Sequence, residues 1–360
     1  MNYFQNNTLL FVILALTIAF VFSFLINLIL LKFSQNLGSR NNPVKEIRWN
    51  ATSKPSVGGI SFFVIFLITF IILNIINNIV PLHFSNLKIV GVLTVCTMAF
   101  LMGLADDAYN TKPLLKFIVQ LVCGLILYFT NTKISIFSSE ALNFSFTLFW
   151  IIGLMNSINM LDNMDAITTT VSIVILFFVI ALNLQLNSIF NAVSILSIGT
   201  LGALLGFLIY NWHPAKMFMG DTGSQFLGVF LAVIGIDYCW NSVALVGNSV
   251  VSFNGVIIGF VVTAAVFILP LVDTATVFIN RIKSGRSPFI GGKDHTTHHL
   301  FFKGITEKRI AILFFALQFI GVGLAFKLIT NYSIFMLIST ITYCCLVFVT
   351  LYLNTVIKRK

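Results

Sequence analysis

The chain has 360 residues, of which 58% are hydrophobic, only 9% are charged and 38 are phenylalanine. A mean hydropathy of +1.00 lies far above the range of soluble domains, which excludes a soluble globular protein. The net charge of +10 suits anionic lipids or anionic substrates, and no nucleic-acid-binding fold is visible, so no nucleic-acid partner is expected.

Apolar runs of about 18 or more residues predict transmembrane helices. We therefore predict an all-α integral membrane protein that forms one polytopic domain over residues 1–360. The first run has no basic segment before it and no cleavage site after it, so we expect a retained anchor. The predicted helices number about eleven and lie at 8–31, 57–80, 87–104, 114–130, 145–161, 167–184, 188–210, 224–240, 250–278, 310–329 and 333–354.

The basic residues predict the orientation of these helices. With the N-terminus outside and an odd number of spans, only Lys88, Lys133 and Lys327 of the 21 Lys and Arg residues face outward. The positive-inside rule then places the C-terminus in the cytoplasm. Ten spans would leave one basic cluster outside.

The acidic residues are concentrated on the predicted cytoplasmic side. Of the 11 acids, only Glu140 and Asp237 fall near the opposite face. Placing a charge within a membrane costs free energy. Acids at helix ends, in separate polar segments between the apolar runs, therefore predict one shared polar site. The breaks expected to form this site are the loops at about 32–56, 105–116, 156–168, 211–224 and 279–309.

Asp106 and Asp107 form the first candidate group, followed by Lys116. Adjacent carboxylates repel each other unless a cation or a proton intervenes, so the pair suits a divalent metal or proton transfer. Lys116 could present an ammonium group to a phosphate near the bilayer surface. The alternative is a solvated helix end with an ordinary lysine.

The second candidate group is the series Asn156, Asn159, Asp162 and Asp165. A spacing of three residues keeps side chains on one slowly drifting helical face, so the four predict a single polar stripe. Such a stripe at the end of an apolar helix is costly unless it meets a ligand or a metal. An interhelical hydrogen-bond seam is the alternative.

The third group is the segment NWHPAKMFMGDTGS, which runs from Asn211 to Ser224. Its glycines beside Asp221 predict a turn whose free amides, at a helix N-terminus, suit a phosphate and its bridging magnesium. Phe218 could stack on a planar base. Glycine and proline also mark plain interhelical turns, and phenylalanine, with 38 residues, is common throughout the apolar runs of this chain.

The fourth group contains three of the five histidines, His295, His298 and His299. Zinc is one interpretation, but no cysteine accompanies them and a fourth ligand is missing nearby. Binding of a diphosphate is the better interpretation of these histidines, because basic residues surround them. His83 and His213 stand alone and are expected to be structural or solvated.

These motifs, taken in order, resemble one family along nearly the whole chain. The family is that of the polyprenyl-phosphate N-acetylhexosamine-1-phosphate transferases, the MraY/WecA-like enzymes of glycosyltransferase family 4. The resemblance is carried by KPSVGG at 54–59, DD at 106–107, NSINMLDNMD at 156–165, FMGDTGS at 218–224 and HH at 298–299.

The resemblance implies a phosphotransferase of the EC 2.7.8 class that moves a sugar 1-phosphate from a UDP-N-acetylhexosamine to undecaprenyl phosphate and releases UMP. It implies Mg²⁺, or Mn²⁺ in its place, held by Asp221 and Asp162. The catalytic positions it implies are Asp106, Asp107 and Asp221. The substrate-binding positions it implies are Lys116, Asn156, Asn159, Asp162, Asp165, Asn211, Phe218, His298 and His299.

The family pattern is not matched throughout. Asn163 and Ala166 stand where glycines are usual, Lys54 stands where threonine is common, and a full HHH cluster is missing. The missing cluster and the odd span count favour the WecA-like branch, with UDP-GlcNAc as donor and cell-envelope polysaccharide, such as lipopolysaccharide, as the destination. The MraY-like pentapeptide transferase of peptidoglycan synthesis is the runner-up.

A cation-coupled transporter is the remote alternative, but it would be expected to place its acids near the bilayer midplane. The resemblance implies that the protein lies in the bacterial inner membrane, with its active site facing the cytoplasm. A homodimer is a further possibility.

Overall fold

The computed structural model describes residues 7–36, 54–79, 86–245, 253–287 and 292–356. Most of the first predicted loop (37–53), residues 288–291 and His83 therefore lie outside the described residues. The helices are α1 (Thr8–Asn36), α2 (Gly58–Ile79), α3 (Asn86–Tyr109), α4 (Pro113–Phe129), α5 (Glu140–Leu161), α6 (Ile167–Gln185), α7 (Ala192–Asn211), α8 (Gly220–Ile234, continued by a π-helix at Gly235–Trp240), α9 (Ser242–Leu245), α10 (Phe253–Val266), α11 (Ile268–Lys283), α12 (Thr296–Phe302), α13 (Glu307–Thr330) and α14 (Ile334–Val356).

The predicted all-α membrane architecture is confirmed. Within the described residues, nine helices are long and apolar enough to cross a membrane, and α10 with α11 makes a tenth if the pair is one broken span. Helix α4 is apolar but has only 17 residues. This is a multi-pass membrane protein, whereas the count of eleven and the outside N-terminus remain predictions.

The predicted run at 250–278 is divided into two helices, α10 and α11, bent by 85°. Pro270 lies just after the break and has no N–H to donate to the carbonyl of Val266, four residues earlier. Gln318 of α13 replaces that donor, since its side-chain amide hydrogen-bonds the Val266 carbonyl at 2.5 Å. The bend therefore has a local cause, and the freed carbonyl is satisfied by a neighbouring helix.

Helices α7 and α8 form the centre of the bundle, and nearly all of their side chains are buried. Helix α1 packs along α7, while α3 and α5 pack against α8. Large apolar side chains of α1 and α14, such as Phe33 and Phe335, remain exposed on the outside, as a lipid-facing surface requires.

The packing brings the ends of α3 and α5 to the same end of the bundle as the starts of α4 and α8. At the opposite end, Lys88 near the start of α3 pairs with Asp237 beyond α8, with 2.7 Å between Nζ and Oδ1. The candidate residues, although distant in sequence, thus share one end of the molecule.

Candidate active site

The centre of the candidate site is a lysine held between two carboxylates. The Lys116 Nζ atom lies 2.5 Å from Asp106 Oδ2 and 2.6 Å from Asp221 Oδ2. The Asn159 amide donates to the other oxygen of Asp221, at 3.0 Å, and to the Ser224 hydroxyl, at 2.8 Å. Side chains from α3, α4, α5 and α8 therefore meet at one point.

Asp107 has a different set of partners from Asp106. Its carboxylate accepts hydrogen bonds from the backbone N–H groups of Asp221 and Thr222, at 3.0 and 2.8 Å. It also accepts the Thr222 hydroxyl at 2.6 Å. A carboxylate that satisfies the free N–H groups of a helix N-terminus stabilises that helix, so Asp107 joins the end of α3 to the start of α8.

Two glycines permit this close approach. A Cβ atom on Gly103 would lie 2.2 Å from the Asp221 carbonyl oxygen. Gly220 has a φ of +71°, and a Cβ atom there would lie 2.5 Å from Asp107 Oδ2. Both positions exclude larger residues, because only glycine lacks the atom that would clash.

The helices at the site are longer than the sequence predicted. Helix α3 runs to Tyr109 and α8 begins at Gly220, so Asp106, Asp107 and Asp221 lie in terminal helical turns rather than in loops. The polar side chains do not end the helices early because each finds a partner on another helix.

The predicted four-residue stripe is wrong in its second half. Helix α5 ends at Leu161, so Asn156 and Asn159 lie on it, while Asp162 and Asp165 lie in the turn before α6. The Asp165 carboxylate accepts the backbone N–H of Ala215 at 2.9 Å and so joins this turn to the segment after α7. The spacing of residues in the sequence cannot reveal such a contact with a distant segment.

Asp162 lies in a region of concentrated negative charge. Burial, followed by the nearby carboxylates of Asp221 and Asp107, raises the pKa of Asp162 to about 8. A carboxyl group in such surroundings holds its proton unless a cation offsets the repulsion. Together with the two carboxylates that converge on the Lys116 ammonium, this observation fits a site for a divalent cation with oxygen ligands.

Phe218 is held beside the segment before α2. Its N–H donates to the Pro55 carbonyl at 3.0 Å, and its carbonyl accepts the Gly58 N–H at 3.1 Å. The Phe218 ring is half-buried, and the Lys54 ammonium lies 5.2 Å from its centroid. The motifs KPSVGG and FMGDTGS are therefore paired through their backbones.

Asn211 is buried, with only 3% of its surface exposed. Its side-chain oxygen accepts the Ala166 N–H at 3.1 Å and the Thr169 hydroxyl at 2.7 Å. Its amide donates to the Met217 carbonyl at 3.1 Å. Asn211 thus positions the turn before α6 against the Phe218 segment, and its predicted contact with substrate stays a prediction.

The histidine pair lies on α12, which abuts the same turn. The Thr297 hydroxyl donates to Asn163 Oδ1 at 2.6 Å. Burial lowers the pKa of His298 to about 4 and also lowers the pKa of His299. His298 is therefore neutral at pH 7. The neighbouring His295 Nδ1 lies 2.7 Å from Asp273 Oδ2 and anchors α12 to α11.

A line of side-chain amides leads from exposed Asn156 to the buried Gln120 and Gln225 and extends the site into the bundle. The Asn156 amide donates to Gln120 at 2.8 Å, and the Gln120 amide donates to Gln225 at 3.2 Å. The two glutamines were missed from the sequence. The available signal was spacing, because Gln120 and Gln225 each follow a site residue by one helical turn within an apolar run.

Comparisons with known proteins place the chain among relatives of one family. The model of the family described as Glycosyl transferase family 4 matches residues 89–239. A Bacillus subtilis (strain 168) protein named "Probable undecaprenyl-phosphate N-acetylglucosaminyl 1-phosphate transferase" is 28% identical over 61% of this chain and 60% of the relative.

Two further relatives are named phospho-N-acetylmuramoyl-pentapeptide-transferase. The protein of Prochlorococcus marinus subsp. pastoris is 28% identical over 90% of this chain and 93% of the relative. The protein of Staphylococcus carnosus (strain TM300) is 30% identical over 60% of this chain and 74% of the relative. The chain spans about 60% of the length of several other relatives. It belongs to glycosyl transferase family 4, the polyprenyl-phosphate N-acetylhexosamine-1-phosphate transferases.

Proposed function

We propose that this protein transfers N-acetylhexosamine 1-phosphate, GlcNAc 1-phosphate in the first instance, from a UDP-sugar to undecaprenyl phosphate and releases UMP. The observation that carries the proposal is the convergence of Asp106, Lys116 and Asp221 at one end of a membrane bundle. The names of the Bacillus and Staphylococcus relatives support the same class of transfer.

The transfer reaction requires positive charge at the site, because both substrates carry anionic phosphates. A phosphate monoester loses its second proton near pH 6, so the acceptor is already largely a dianion at neutral pH. The attack on a second phosphate then requires neutralisation of charge and alignment more than removal of a proton. Lys116 supplies one ammonium group, and we assign it to the acceptor phosphate.

Asp221 and Asp162 would hold Mg²⁺, or Mn²⁺ in its place, because their carboxylates lie where negative charge accumulates. Such an ion supplies electrostatic stabilisation of the diphosphate. Asn159 orients the Asp221 carboxylate through its hydrogen bond. Asp107 fixes the N-terminus of α8, on which Asp221 lies.

The position of the site suits one soluble and one lipid substrate. The half-buried ring of Phe218 offers a face for the uracil, and His298 and His299 are assigned to the diphosphate. Because the site lies at helix ends, a nucleotide sugar can reach it from water while the acceptor remains in the bilayer. We assign this end to the cytoplasmic face of the bacterial inner membrane.

The test uses the full chain in detergent with undecaprenyl phosphate and Mg²⁺, and follows UMP release. We expect release with UDP-GlcNAc or UDP-GalNAc, its loss on chelation, and its loss in Asp221→Asn that elutes and melts as a folded protein. Activity retained by Asp221→Asn would refute the assignment of that residue.

UDP-MurNAc-pentapeptide is the second donor to be offered. The pentapeptide transferase of Prochlorococcus aligns over 90% of this chain, which makes that substrate the second candidate. UMP release from the pentapeptide donor alone would select it. No release from any donor by a folded protein would refute the transferase proposal and reopen the transporter alternative.

A further inference from the structure

Three side chains of metal-ligand type meet beside the candidate active site, and the transfer reaction assigns no role to two of them, His213 and Glu307. They are Asp165 in the turn before α6, His213 in the segment after α7, and Glu307 at the start of α13. The His213 Nδ1 atom lies 3.0 Å from Asp165 Oδ2 and 3.2 Å from Glu307 Oε2. One donor atom from each residue lies within 4.8 Å of the other two. We call these residues the Asp165 cluster.

Two separations within the cluster, both measured from His213 Nδ1, match those of atoms bound to one metal ion. Zinc binds nitrogen and carboxylate oxygen at about 2.0–2.1 Å, so its neighbouring ligands lie about 3.3 Å apart in a tetrahedron and about 3.0 Å apart in an octahedron. The 3.0 and 3.2 Å distances fall at these values. Hydrogen bonding alone explains the cluster less well, because one ring nitrogen carries at most one proton for two carboxylates.

The burial of Asp165 supplies a second, independent observation. Its side chain is 1% exposed, and its Oδ1 atom accepts no hydrogen bond from any described residue. A buried carboxylate oxygen without a partner is costly, whereas a cation bound by both oxygens of the Asp165 carboxylate would satisfy it. The Lys54 ammonium does not fill this role, since it lies 3.8 Å from the other oxygen, Oδ2, and faces the Phe218 ring.

We propose that Asp165, His213 and Glu307 bind a divalent transition-metal ion, with Zn²⁺ the ion that one imidazole and two carboxylates favour. Its ligands differ from Asp221 and Asp162, to which the magnesium ion is assigned, and the proposal goes beyond the transfer reaction. The ion would join three segments that lie near Phe218, the residue assigned to the uracil of the nucleotide. His213, whose side chain is 34% exposed, leaves a side open for a water ligand.

The experiment uses Co²⁺ as a visible probe for the zinc site. The full chain in detergent is stripped with a chelator and titrated with Co²⁺ in excess Mg²⁺, which occupies sites that contain only oxygen ligands. We expect one equivalent of Co²⁺ to give a visible ligand-field band, which Zn²⁺ abolishes by displacement. Zn²⁺ should also raise the Tm of the stripped protein.

Substitutions then locate the ion. His213→Gln should lose the band and the Zn²⁺-dependent rise in Tm, and Glu307→Gln should bind at least ~10-fold more weakly. Glu140→Gln, a matched change at the opposite end of the bundle, should bind like the wild type. Asp221→Asn should keep the band, because that residue belongs to the other site.

A second variant, His213→Cys, keeps the proposal testable if His213→Gln does not fold. His213→Cys restores a ligand and should show a near-ultraviolet thiolate-to-Co²⁺ charge-transfer band. A folded wild type without any Co²⁺ band would overturn the proposal. An unchanged band in His213→Gln, or a band lost in Asp221→Asn, would also overturn it. None of these readouts depends on UMP release, so this proposal and the proposed function can fail separately.

Discussion

At the residue scale, two adjacent aspartates have separate tasks. Asp106 pairs with Lys116 at 2.5 Å and faces the shared polar site. Asp107 instead receives three hydrogen bonds from Asp221 and Thr222. The sequence presents them as a pair, but successive side chains on a helix point about 100° apart and so meet different neighbours.

Asp107→Asn should therefore reduce stability more than Asp106→Asn does. An amide at position 107 lacks the charge that favours the N-terminus of α8 and has one acceptor atom fewer, which should cost about 1–2 kcal/mol. Thermal unfolding of both variants in the same detergent measures the difference. Asp106→Asn should lose UMP release with a smaller fall in Tm, and equal Tm losses would contradict the division of tasks.

The stability of the protein without divalent ions should depend on pH through Asp162. The surroundings raise the pKa of Asp162 to about 8 in the folded state. Between the ordinary pKa of an aspartate and about 8, the folded state holds a proton that the unfolded state has lost, so stability falls as the pH rises through this window. The loss is complete above the folded-state pKa.

Asp162→Asn removes this titration. With a chelator present, the Tm of the variant relative to the wild type should increase steadily from about pH 5 to about pH 8. Mg²⁺ at pH 8 should then raise the Tm of the wild type and leave that of the variant nearly unchanged. A constant Tm difference across the pH range would contradict the proposed environment of Asp162.

At the element scale, the turn between α5 and α6 shows how a local conformation is maintained by distant contacts. Ala166 has a φ of +65°, in the left-handed region. Its N–H donates to Asn211, and Asp165 beside it accepts the Ala215 N–H. These bonds to the segment after α7 hold an alanine in a conformation that favours glycine, the residue usual at this position in the family.

Ala166→Gly should stabilise the protein by about 1 kcal/mol, because the left-handed conformation is unfavourable for a residue with a Cβ atom. The greater freedom of glycine in the unfolded chain offsets part of that gain. Ala203→Gly, in the buried middle of α7, is the matched control and should lower the Tm, because glycine weakens a helix. A lower Tm for both variants would show that Ala166 is not strained.

At the scale of the whole molecule, the packing separates a catalytic end from an opposite end. The candidate active site lies at the end formed by the last turns of α3 and α5 and the first turn of α8. Lys88 and Asp237 pair at the other end. The positive-inside rule predicts that the catalytic end faces the cytoplasm.

Cysteine labelling tests this assignment. Lys216 lies exposed at the catalytic end, and Ser138 lies exposed in the opposite segment before α5. In intact cells, a membrane-impermeant maleimide should label Ser138→Cys but reach Lys216→Cys only after permeabilisation. The parent protein, which has exposed Cys345 in α14, corrects for background. The reverse pattern would invert the topology and remove the site from the cytoplasm.

Much of the candidate site could be predicted from the spacing of polar residues and from the free-energy cost of leaving them unsatisfied in a membrane. Polar residues that interrupt apolar runs must be satisfied, so Asp106, Asn159 and Asp221 were identifiable before any contact was known. The break at Phe267 was missed, although Pro270 within a long apolar run was an available signal. His213 was expected to stand alone, because its partners Asp165 and Glu307 lie 48 and 94 residues away in the sequence.

The sequence by itself determined that the chain is a multi-pass helical membrane protein with polar groups at helix ends, since hydropathy and the cost of buried charge act locally along the chain. The tertiary structure decided which of those groups meet. It separated Asp106 from Asp107, ended α5 before Asp162, and brought Asp165, His213 and Glu307 together. The physical reason is that hydrogen bonds and ion pairs depend on distances in space, which only the packing of the helices determines.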